Sequence, residues 1–134
     1  MRLFPSAAAF LALLGAAVTT GAVLAKDRTG SVRDTVPVAI PSGPPLDCVP
    51  ITRLRQSLVR SDRVIDFVTT GHRAYRVTLP QACPELGFER RFAYETSLSE
   101  LCSTDIITVL HDAPLMRGAS CGLAPFQPVT LPHP

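Results

Sequence analysis

Apolar residues are distributed in two ways along this chain. Phe4 to Val18 is an almost unbroken apolar run, whereas from Asp47 onward apolar residues come in short segments separated by turn signals. Short segments that alternate or run apolar between Gly and Pro clusters are the mark of β-strands. On this pattern strands are predicted near 51–58, 63–69, 73–79, 88–95, 105–110 and 122–129.

Arg63 to Val68 is β-branched and aromatic, and Ala74 to Leu79 alternates, with Tyr75, Val77 and Leu79 inward and Arg76 and Thr78 outward. Thr70-Gly71-His72 between them reads as a tight turn, because Gly accepts the positive φ that a hairpin requires. Pro80 to Gly87 is a loop; Phe88, Phe92 and Tyr94 then share one face, and Asp105 to Leu110 is a continuous apolar strand at the centre of the sheet. Pro125 and Pro128 confine the last strand to an edge or leave it irregular. Two stretches stay open. Ile51, Leu54 and Leu58 fit helical spacing as well as a strand, and Ser97-Leu98-Ser99-Glu100 resembles a capping box that starts one helical turn over Leu98 to Cys102. The expected class is mainly β: a small antiparallel sheet or partly open barrel of five to six strands, with room for a short helix.

The apolar run at the start changes the picture from fold to compartment. Arg2, the run from Phe4, and Val23-Leu24-Ala25 follow the order of a cleavable signal peptide spanning 1–25, cut before Lys26. The run is shorter than the roughly 20 apolar residues of a bilayer span, so no stable membrane span is expected after cleavage. Residues 26–46 carry Gly30, Pro37, Pro41, Gly43, Pro44 and Pro45 and read as a flexible linker. The domain is then 47–130, and 131–134 a tail. Export directs the chain to the periplasm or the medium.

Cys48, Cys83, Cys102 and Cys121 make an even set in an exported chain, the setting in which structural disulfides are the default. Zinc ligand pairs sit about two to four residues apart, a spacing absent here, as is Cys-x-x-Cys. If the strands run alternately up and down, Cys48 and Cys102 fall at one end and Cys83 and Cys121 at the other. Those pairs are therefore the expected bridges, each contributing about 4 kcal/mol on the chain-entropy model.

Charge is nearly balanced, with 13 basic and 11 acidic residues, but unevenly placed. The segment from Arg53 to Arg91 is rich in arginine, and the alternation turns Arg53, Arg55, Arg76 and Arg91 outward from neighbouring strands. Arginine's rigid fork of donors suits carboxylate or phosphate, so these four form a candidate anion-binding patch for a lipid headgroup, a glycan or an acidic envelope protein. Export argues against nucleic acid as a partner.

Catalytic signals are thin. His72 and His111 fall at opposite ends of the meander. His111-Asp112 beside Ser103 or Ser120 suggests a triad, but adjacent side chains on a strand point to opposite faces, and no Gly-x-Ser-x-Gly elbow is present. Asp62, Asp66, Glu85, Glu89, Glu95 and Glu100 are scattered carboxylates better suited to pairing with arginines than to the two-carboxylate chemistry of glycosidases. No phosphate-cradling Gly-rich loop occurs, and no metal or cofactor is expected.

The stretch Asp47-Cys48, Ser61 to Phe67, Tyr75 to Leu79, Cys83-Pro84-Glu85-Leu86, Leu101 to Val109 and Cys121 to Phe126 resembles a group of small exported bacterial proteins known as a domain of unknown function. The resemblance implies an exported four-cysteine domain and brings no catalytic residue with it. The expectation is a non-enzymatic periplasmic binding or accessory module. A small hydrolase, or an inhibitor of an exported enzyme presenting Leu110 to Ser120, are the alternatives.

Overall fold

A computed structural model describes residues 36–96 and 98–132. The expected signal peptide, 1–25, and the first part of the expected linker, 26–35, lie outside the described residues. The chain forms short strands and one short helix in the order β1 (Ile40–Pro41), β2 (Cys48–Pro50), β3 (Gln56–Val59), β4 (Val64–Val68), β5 (Arg73–Thr78), α1 (Leu86–Glu89), β6 (Phe92–Tyr94), β7 (Glu100–Cys102), β8 (Ile106–Asp112), β9 (Leu115–Gly122) and β10 (Gln127–Thr130). A 3-10 turn at Ile51–Arg53 follows β2.

The strands form three antiparallel sheets rather than a closed barrel: five strands ordered β1-β10-β5-β4-β3, the pair β2-β7, and three strands ordered β6-β8-β9. The β4–β5 hairpin is the turn predicted at Thr70-Gly71-His72, with Gly71 at φ 71°. Its inner face carries Ile65 and Phe67 on β4 opposite Val77 and Tyr75 on β5. Phe67 is fully buried. Its ring meets Phe126 at 5.7 Å and Phe92 at 6.1 Å, so it joins the five-stranded sheet to the β6-β8-β9 sheet.

Both expected disulfides are present, Cys48–Cys102 and Cys83–Cys121. The geometry behind the first is more direct than the parity of a meander. Cys48 and Cys102 lie opposite each other on β2 and β7. Cys83, in the loop before α1, reaches Cys121 on β9.

Five expectations need correction. The segment 51–58 is neither all strand nor all helix, for Ile51–Arg53 is a 3-10 turn and only Gln56–Val59 pairs with β4. The strand expected over 88–95 starts late: Leu86–Glu89 is helical, closed by Arg90 at φ 55°, and β6 covers Phe92–Tyr94. Leu86 takes the core position and Phe88 points to solvent at 87% exposure. Glu100–Cys102 is strand, since it pairs with β2 instead of completing a helical turn. Leu115–Gly122 forms a hairpin with β8, not a loop.

The last of the five concerns the boundaries. Residues 36–46 belong to the fold: β1 pairs with β10, Leu46 bridges Phe126, and the Arg76 guanidinium donates to the Pro37 carbonyl at 2.8 Å. β10 therefore lies between β1 and β5, although it contains Pro128. A residue's N–H and carbonyl point to the same side of an extended strand. The Pro128 carbonyl accepts from Ser42 N–H, so the missing N–H falls on the short β1 side and the ladder to β5 is intact. The tail is also engaged at its start, Leu131 N–H donating to the His72 carbonyl at 2.8 Å.

Candidate anion-binding cleft

The four arginines picked out by alternation do not share a site. Arg76 does face outward, but opposite the buried Asp66 on β4. Its Nε donates to Asp66 Oδ1 at 2.7 Å and its Nη2 to Oδ2 at 2.9 Å, a two-pronged contact. Arg60 Nε donates to Oδ2 as well, at 2.9 Å. Arg76 is thus part of the fold. Arg91 pairs at the surface with Asp112, the last residue of β8.

Arg53 and Arg55 are placed differently. They lie at the end of the 3-10 turn and just before β3, both exposed, and line a cleft of about 580 Å³ with Arg73. Arg73 opens β5 on the same face as Tyr75 and Val77, but one step beyond the core, so the strand's inward alternation carries it to the cleft. Apolar groups of Leu46, Tyr75 and Pro128 form part of the wall, and the hydroxyls of Ser42, Thr52, Thr69 and Thr70 also line it. Among the described residues no carboxylate does.

The state of the other arginines sets these three apart. Arg60 and Arg76 hold Asp66, Arg63 donates to the carbonyls of Leu79 and Pro80, and Arg90 donates to the Gly87 carbonyl. Arg91 pairs with Asp112 and Arg117 with Glu95. Among the described residues the guanidinium groups of Arg53, Arg55 and Arg73 alone have no protein acceptor. Like charges gathered in this way repel, which costs stability unless a counter-charge arrives. Arg73 escaped the sequence reading because it flanks a turn; an inward-facing charge at a strand end was the available signal.

The hydrolase candidates are held apart by other partners. His111 Nδ1 lies 2.9 Å from Glu89 Oε1, and its Nε2 is 3.4 Å from Glu85 Oε2. Asp112 pairs with Arg91, while Ser120 Oγ shares a hydrogen bond with Thr108 Oγ1 at 3.0 Å. Asp62 caps the start of α1 by accepting from Gly87 N–H at 2.7 Å. His111 is instead a clasp between α1 and β8, and Gly118 makes room for it: a Cβ there would lie 2.5 Å from His111 Nε2. Gly118→Ala is therefore expected to push the ring off its carboxylates and destabilise the domain by about 1–2 kcal/mol. Urea denaturation measures this loss, and His111→Ala in the same chain should remove most of it.

Comparison with known proteins returns no match among family models, curated proteins or solved structures. Fold and site define a small disulfide-bonded antiparallel β domain with an arginine-lined cleft. Among its described residues no helix is long and apolar enough to cross a membrane.

Proposed function

We propose that this chain is an exported, non-enzymatic binding or accessory module that holds an anionic ligand or partner in the Arg53–Arg55–Arg73 cleft. One observation carries the reading: every other described arginine is engaged within the protein, while these three line one cleft that no carboxylate of the described residues lines. Arginine forks meet carboxylate or phosphate with paired, charge-assisted hydrogen bonds. The wall of Leu46, Tyr75 and Pro128 gives the body of such a ligand an apolar surface to cover. The volume lies within the range of small-ligand sites, about 300–1,000 Å³. The resemblance to small exported four-cysteine proteins and the two bridges support a site outside the cytoplasm.

The test is an NMR titration of the oxidised domain with inorganic phosphate, an oligogalacturonate and a glutamate-rich peptide. Shifts around Arg53, Arg55 and Arg73 are expected with at least one probe, weakening as salt is raised. Arg73→Gln and Arg55→Gln should each weaken binding about 10-fold, the scale of one lost charge-assisted hydrogen bond. No shift in the cleft with any of the three at millimolar concentration would overturn the reading.

A further inference from the structure

The outer face of the five-stranded sheet presents a second site, unlike the first. One cross-strand row on that face is Leu58, Asp66, Arg76 and Gln127. The fully buried Asp66 carboxylate supplies one negative charge to two arginines, leaving one positive charge over. Arg76 is fully used, since its Nε and Nη2 hold Asp66 and its Nη1 holds the Pro37 carbonyl. Arg60 spends only Nε on Asp66. Its two terminal nitrogens have no acceptor among the described residues, and its side chain is 26% exposed. The surplus charge is therefore presented by the tip of Arg60.

That tip lines a groove of about 440 Å³ whose other walls are largely apolar: Leu58 and Val68 from the sheet, Pro37 from the segment before β1, and Leu131 and Pro132 after β10. Among the described residues no carboxylate lines it. From Gln56 to Arg60 the edge of the groove follows an extended chain for about 13 Å, at roughly 3.3 Å per residue. A cation with free donors at one end of an apolar trough is complementary to an amphiphilic anion. We infer that this groove binds a small monocarboxylate with an unbranched apolar chain, its carboxylate on the Arg60 terminal nitrogens and its chain along Leu58 and Val68. The site is independent of the cleft at Arg53, Arg55 and Arg73, which calls for charge first.

Octanoate, octanol and acetate are the probes, titrated into the oxidised domain and followed by NMR and calorimetry. Octanoate is expected to shift Leu58, Arg60, Val68 and Leu131, with octanol and acetate each at least 10-fold weaker. Arg60→Gln should weaken octanoate about 10-fold, and Leu131→Glu, which places a repelling charge in the trough at a residue not paired with Asp66, should abolish binding. Combined substitution of Arg53, Arg55 and Arg73 by Gln should leave octanoate affinity unchanged. Octanol binding as tightly as octanoate, no shift in the groove, or full affinity in Leu131→Glu would each overturn the inference.

Discussion

Asp66→Asn is expected to destabilise the domain by about 3–5 kcal/mol, a large share of the 5–15 kcal/mol that holds a typical domain together. The cost comes less from the lost attraction than from what remains. Asp66 is fully buried between Leu58 on β3 and Arg76 on β5, and its two oxygens take three donors from Arg60 and Arg76. An amide in its place keeps the shape but turns one acceptor into a donor facing a guanidinium. Two positive charges are then left beside each other, with Arg76 only 15% exposed. Guanidinium denaturation of Asp66→Asn checks the size. The triple variant Arg60→Met, Asp66→Leu, Arg76→Met separates charge from packing, because replacing a whole buried ionic group by apolar residues is often close to neutral. It should recover most of the stability, and a triple variant as unstable as Asp66→Asn would show that the arginines matter through their packing and the Pro37 contact instead.

Loss of a disulfide should be nearly as severe. The bridges span separations of 54 and 38 residues. On the chain-entropy model each restricts the unfolded chain by about 4 kcal/mol, and a domain of this size buries too little surface to spare that amount easily. Ala at Cys48 and Cys102 is expected to cost about 3–4 kcal/mol, seen as a lower denaturation midpoint. The bridge between Cys83 and Cys121 restricts the unfolded chain slightly less, because its loop is shorter. The loops overlap between Cys83 and Cys102, so removing all four cysteines should cost less than the two losses combined. An additive result would place the stabilisation in native contacts around each bridge rather than in the unfolded chain.

Much of the fold was legible because its signals are local. Alternation along Ala74 to Leu79, the β-branched run at Val64 to Val68 and Gly71 between them define the β4–β5 hairpin without help from elsewhere. The cysteine pairs were recoverable because bridging requires proximity, and few arrangements of an antiparallel chain provide it. What escaped depends on partners distant in sequence. Phe88 matched the apolar spacing of Phe92 and Tyr94, yet the helical turn at Leu86–Glu89 reverses it to solvent. Pro128 pointed to an edge, and only the placement of Ser42 shows which side of β10 lacks a donor. The arginine site was half visible. Arg53 and Arg55, singled out from the alternation, both line the cleft, while Arg76 and Arg91 are engaged by Asp66 and Asp112, partners that outward alternation does not reveal.

The place of β10 also sets a timetable for folding. Ile40 must find Thr130, and Gln127 must find Arg76, before the five-stranded sheet has its full width. The β4–β5 hairpin can form as soon as its own residues are free, but its sheet then waits for the strand that lies between β1 and β5. Folding dominated by such distant encounters is slow. Until β10 arrives, β5 presents an unpaired edge, the kind of edge on which other chains add. A chain that completes its sheet so late is at greatest risk of association while it is still incomplete.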